Sequence, residues 1–146
     1  MAFSVEIHCN SSFLSPHKME KTLELLSDYE ECIGKHFEGL ESFRSEGDGV
    51  YLWTFQKLSY GGYNLQIQFR TRFEKRGDNL VKIISVPSNT KANLSGHWAL
   101  ESTNEGTRVE FEATLVGELP LPALMKSMVS PIAQKEVKKI STFKSL

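Results

Sequence analysis

The stretch ELPLPALMKSMVSPIAQKEVKKISTFKSL, residues 118–146, decides how the whole chain is read. Its apolar residues recur as Leu121, Leu124, Met125, Met128, Val129, Ile132, Val137, Ile140 and Phe143. Steps of three and four put these on one stripe of a helix. Lys126, Ser127, Gln134, Lys135, Lys138, Lys139 and Lys144 fall on the other faces, with lysines crowding the second half, where cations suit the negative end of the macrodipole. Pro120 and Pro122 stand where a helix starts, a position at which a missing N–H costs nothing. Pro131 removes the bond to the Ser127 carbonyl, so the pattern predicts a bend there. One long one-sided helix over 118–146 needs a broad apolar surface to lie on.

The preceding residues supply that surface. Residues 3 to 9 alternate, with Phe3, Val5, Ile7 and Cys9 on one side and Ser4, Glu6 and His8 on the other, as in a half-buried strand. Ser15-Pro16 reads as an N-cap and first helical residue, followed by Met19, Thr22, Leu23, Leu26 and Tyr29 at helical spacing. Ser27-Asp28 interrupts that pattern, and Asp28 can cap a second short helix that ends near Gly34. From Phe37 to Glu118 the chain reads as strands and tight turns: Leu40 to Glu46, Val50 to Leu58, Tyr63 to Phe73, Leu80 to Val86, Ala92 to Leu100, and a last strand through Val109, Phe111, Ala113 and Leu115. Gly47-Asp48-Gly49, Gly61-Gly62 and Gly77-Asp78-Asn79 mark turns between them. Consecutive strands on short turns are antiparallel.

Composition sets the class. At 146 residues the chain fits one domain able to bury about 70% of its unfolded surface. Hydrophobic residues make up 40%, charged residues 24%, and the net charge is -1, so nothing overall favours nucleic acid. Cys9 and Cys32 show no metal-ligand spacing and read as buried thiols of a reducing compartment. MAFSVEIHC lacks the basic and apolar segments of a signal peptide, and no apolar run reaches the length of a membrane span. The expected location is the cytoplasm.

Several short stretches carry a family resemblance: Ser15-Pro16 with Leu26-Ser27-Asp28-Tyr29, Gly96-His97-Trp98-Ala99-Leu100, Gly106-Thr107-Arg108-Val109-Glu110-Phe111, and Leu119-Pro120-Leu121-Pro122. In these, and in its element order, the chain resembles the START-like or helix-grip superfamily, the polyketide cyclase/dehydrase and lipid-transport group. Its small bacterial members look closest, those similar to coenzyme Q-binding proteins and to the G component of carbon monoxide dehydrogenase. The resemblance implies a single α+β domain over 1–146. A seven-stranded antiparallel sheet would curve around a long C-terminal helix, with two short helices after the first strand and a cavity between sheet and helix. It implies binding or transport of a lipid, isoprenoid quinone or polyketide-like molecule. The alternatives are a cyclase or hydrolase, or a protein-interaction module directed at a ribosome or client.

Chemical signatures are sparse. His8, His17, His36 and His97 are scattered, with His8 and His97 on the polar side of their strands, and there is no HExxH, nucleophile elbow or phosphate loop. No cofactor, metal or catalytic residue is expected, nor stable membrane insertion, although transient membrane contact fits a lipid carrier. Candidate ligand-binding residues are Leu124, Met125, Met128 and Ile132 on the helix. Ile67, Phe69, Trp98 and Phe111 join them on the sheet, with Thr54, Tyr63 and Thr71 as inward polar groups that would orient a carbonyl or hydroxyl. For any one of the apolar members, packed core is the better reading.

Overall fold

A computed structural model of the chain describes residues 3–37, 39–60, 62–87, 92–119 and 121–142. The alternation at the start extends to Ser15, giving β1 (Phe3–Ser15). Helices α1 (Met19–Ser27) and α2 (Tyr29–His36) follow, meeting at Asp28 as the interrupted pattern predicts. Next come β2 (Leu40–Gly47), β3 (Val50–Phe55), β4 (Leu58–Tyr60), β5 (Tyr63–Leu65), β6 (Gln68–Arg76), β7 (Leu80–Val86), β8 (Ala92–Thr103) and β9 (Gly106–Leu119). A 3-10 turn, Ala123–Met125, leads into α3 (Lys126–Val137), and another, Lys138–Thr142, follows it.

Seven strands form one antiparallel sheet in the order β1-β9-β8-β7-β6-β3-β2, with α2 packed at the β2 edge and α3 at the β1 edge. This is the expected α+β helix-grip arrangement. Strand register carries each strand's alternation across the sheet. Ser11, Phe111, Trp98 and Val81 are successive partners in one row, and Ile7, Leu115 and Leu94 in another. Each large apolar side chain buried this way contributes roughly 1.5–3 kcal/mol.

Three expectations need correction. The C-terminal helix does not begin at Glu118, because Glu118 and Leu119 still pair with Ser4 and Phe3 in the β9–β1 ladder. Regular helix covers only Lys126–Val137 and runs through Pro131; Pro120, Phe143 and Lys144 lie outside the described residues.

The strands expected over Val50–Leu58 and Tyr63–Phe73 each break, and β4 and β5 peel off as a separate hairpin. At the break the Gln66 side-chain amide donates to the Phe55 carbonyl at 3.0 Å and to Glu41 at 3.1 Å, while Phe55 N–H donates to the Ile67 carbonyl at 3.0 Å. A side chain thus satisfies backbone that a continuous ladder would have satisfied.

Ser15 is a strand residue paired with Thr107, and α1 is capped at Lys18 without a side-chain bond. The buried Ser15 hydroxyl instead accepts hydrogen bonds from Thr22 Oγ1 at 3.0 Å and His17 N–H at 3.3 Å. Thr107 Oγ1 donates to the His17 carbonyl at 2.8 Å, so these hydroxyls fasten α1 to the ends of β1 and β9.

Candidate functional site

Alternation on β3, β6, β8 and β9 brings Trp53, Phe69, Trp98 and Phe111 to the inner face of the sheet, where all four are fully buried. Phe37, at the end of α2, meets three of them edge-on, with ring centres 6.0 Å from Trp53, 6.3 Å from Trp98 and 5.7 Å from Phe111. Trp98 lies 5.5 Å from Phe111, and Trp53 lies 5.2 Å from Phe69. Each such pair adds about 0.5–1.5 kcal/mol beyond the area it buries. Of the residues singled out in the sequence, Phe69, Trp98 and Phe111 are brought together here, and Ile67 is buried in the same core.

The polar candidates are placed differently. Thr71 does face inward, but its hydroxyl accepts the Trp53 indole N–H at 2.8 Å. Thr54 pairs in register with Gln68, one residue out of phase with Trp53 and Phe69, so it lies on the opposite face and accepts from Gln68 Nε2 at 3.1 Å. Tyr63 sits on the β4–β5 hairpin and is 43% exposed. Two groups absent from the predicted polar set stand out instead. The Trp98 indole N–H and the Ser11 hydroxyl are buried, and neither has a hydrogen-bond partner among the described residues. Carrying the β1 alternation past Cys9, to the true end of the strand, is what finds Ser11.

The helix keeps only part of the predicted stripe. Val129, Ala133, Val137 and Ile140 are the buried residues of α3 and the turn after it, while Met128 and Ile132 are half-exposed and Leu124 is 92% exposed. Met125 is intermediate and packs against the core. Where α3 passes the β4–β5 hairpin, Leu58, Tyr63, Leu65, Leu121, Val129 and Ile132 line an apolar cleft of about 130 Å³, with Lys57 and Ser59 beside it. A wider groove of about 840 Å³, of mixed polar and apolar lining, runs between α1 and the β8–β9 turn, with Met19 and Leu23 beside Lys18, Glu20, Asp78 and Glu105.

Among the described residues, titratable groups do not assemble a reactive centre. Burial, reinforced by the nearby negative charge of Asp28, pushes the Cys32 thiol up to about 12, which keeps it protonated and unreactive at neutral pH. The Cys9 thiol is buried against the Val137 carbonyl at 3.9 Å. His8 and His97 lie on the outer face, beside Thr114 at 3.0 Å and Glu112 at 3.8 Å. Among the described residues no three metal-ligating side chains converge, and no helix is long and apolar enough to cross a membrane.

No protein-family model matches the chain, and no curated protein sequence does. Solved structures do. The KanY protein superposes with a TM-score of 0.57 at 16% identity, over 93% of this chain and 90% of that one. A protein from Thermus thermophilus gives 0.55 at 20% identity, over 93% and 91%. A STAR-related lipid transfer protein fragment from Xanthomonas axonopodis gives 0.50 at 13% identity, over 97% and 82%. The chain has the START-like fold, a scaffold that does not by itself assign an activity.

Proposed function

We propose that this START-like domain binds and carries a hydrophobic small molecule, of the lipid, isoprenoid quinone or polyketide-like class, between the inner face of the sheet and α3. The observation that carries the reading is the apolar cleft between α3 and the β4–β5 hairpin, rimmed by Tyr63 and Ile132 at 43% and 37% exposure. Met128 and Leu124 continue that surface along the helix. Stability alone gives no reason to leave such side chains in water, and contiguous exposed apolar surface marks binding sites. At about 130 Å³ the cleft is a mouth, well short of the roughly 300–1,000 Å³ of small-molecule pockets, so a ligand must displace side chains to enter. The lipid transfer protein of the same fold supports the class of cargo.

A second reading, a protein-interaction surface, is favoured by Leu124, which is 92% exposed and outside the cleft. The enzyme alternative finds no support in the interior. Among the described residues the buried polar ones are Ser15, Thr22, Thr54, Thr71 and Thr107, none of them a ready acid or base. Titrating the protein with palmitate, a short-chain ubiquinone and an aromatic polyketide, while following tryptophan fluorescence and Tm, tests the proposal. A ligand at about a hundred times its Kd should stabilise the fold by roughly 2.7 kcal/mol, a Tm rise of about 5–10 °C. Three titrations without a change in either signal would reject the carrier reading and leave the interaction surface.

A further inference from the structure

The inner face holds two buried polar atoms whose hydrogen-bonding capacity is unused, and they lie in one row. Ser11 on β1 and Trp98 on β8 are both register partners of Phe111 on β9, one from each side. Neighbouring strands are about 4.8 Å apart, so the Ser11 and Trp98 backbones are roughly 10 Å apart, with the Phe111 ring between them. Trp98 is fully buried, and its indole N–H can only donate. The Ser11 hydroxyl oxygen is likewise shut off from solvent. Native interiors rarely leave such groups unpaired, because each unmade bond costs the full desolvation of the group. Trp53, 5.2 Å from Phe69 in the same aromatic cluster, shows the alternative, its N–H being satisfied by Thr71.

We infer that Trp98 Nε1–H and Ser11 Oγ–H are the polar anchors of the ligand, taking a neutral oxygen acceptor such as a ketone or quinone carbonyl. This rests on the carrier reading and specifies its cargo. An ionised carboxylate does not fit, because the buried polar residues are all serine or threonine and no buried cation is present among the described residues to offset its desolvation. A pure hydrocarbon does not fit either, since it leaves both donors unpaired. The Phe37 ring, edge-on to Trp98 and Phe111, and the Phe73 ring, stacked 5.9 Å from Trp98, pack against the row, so a ligand has to displace side chains there.

The experiment compares 2-acetylnaphthalene with 2-ethylnaphthalene, which has nearly the same shape and no oxygen. The chain has two tryptophans, so a ¹⁵N-labelled sample gives two indole cross-peaks, and Trp98→Phe assigns them. The ketone is expected to move the Trp98 indole proton downfield, with the Trp53 proton, already bonded, moving much less; the hydrocarbon should not produce the downfield shift. Trp98→Phe should weaken the ketone roughly threefold to tenfold more than it changes the hydrocarbon. Ser11→Ala should also weaken the ketone while raising the ligand-free Tm, because it removes an unpaired buried hydroxyl. If the ketone binds with the Trp98 proton unmoved, or both variants bind both probes as wild type does, the anchors are wrong and the carrier reading stands. If neither probe binds wild type, as judged by Tm and spectrum, the anchors are wrong, and the carrier reading stands or falls with the palmitate, ubiquinone and polyketide titrations.

Discussion

The indole N–H of Trp53 donates to Thr71 Oγ1 at 2.8 Å, in a part of the core where both residues are fully buried. The bond joins β3 to β6 beneath an aromatic cluster, so its loss has nowhere to be compensated by water. Thr71→Val keeps the shape and removes the acceptor. It is expected to cost about 1–3 kcal/mol in denaturant unfolding, because the Trp53 donor stays buried. Thr71→Ser, which keeps the hydroxyl, should lose clearly less; equal losses would mean that packing, not the hydrogen bond, sets the cost.

Two glycines should respond in opposite directions to the same substitution. A Cβ at Gly96 would lie 2.1 Å from the Glu112 carbonyl oxygen and 2.6 Å from Ala113 Cα, both backbone atoms that cannot swing aside. Gly96→Ala should therefore destabilise severely and reduce the yield of folded protein. At Gly34, within α2, a Cβ would meet nothing within 4 Å. Gly34→Ala should stabilise by up to about 1 kcal/mol through helix propensity. Thermal unfolding of the two variants, run side by side, checks both signs.

Alkaline unfolding should report on Cys32. Its thiol moves from 9.0, the ordinary value, to about 12 in the fold. Between those values the unfolded chain has released a proton that the folded chain keeps. Stability is therefore whole below pH about 9 and falls as pH rises toward 12, by on the order of a few kcal/mol. Tyr29, whose phenol is also raised chiefly by burial, adds a slope of the same sign. Unfolding free energies for wild type and Cys32→Ala from pH 8 to 11 should diverge in slope, and parallel curves would contradict the assignment.

Strand alternation makes most of the sheet legible: Val109, Phe111, Ala113 and Leu115 face inward as their spacing says, and so do Phe69, Thr71 and Trp98. The helix phase is legible only in part: Leu121, Val129, Val137 and Ile140 of the expected stripe are buried, whereas Leu124, Met128 and Ile132, just as apolar, face outward. Ala133 carries little hydrophobic signal, yet it lies fully buried on the packed face of α3. The β4–β5 hairpin leaves no periodic trace, and the Gln66 amide bond to Phe55 that accompanies the break is a tertiary contact. Ser11 hides for a different reason: the polar residues past Cys9 look like a loop, although β1 runs on to Ser15.

The exposed side chains of α3 and of the 3-10 turn before it separate stability from uptake. Leu124 and Met128 are 92% and 50% exposed, so Leu124→Ser and Met128→Ser should each change stability by only about 0.5 kcal/mol. If these side chains form the approach to the cleft, the same substitutions should slow transfer of a bound quinone or lipid from vesicles. Unchanged transfer rates in the double variant would assign that face to something other than cargo exchange.

Whether this domain holds a hydrophobic small molecule is read most directly by mass spectrometry of organic extracts from protein purified without detergent. One neutral, oxygen-bearing apolar compound is expected, retained in proportion to protein and depleted in extracts of Trp98→Phe. Extracts carrying no compound above a control protein of similar size, from samples whose Tm also fails to respond to added quinones or ketones, would contradict the carrier reading.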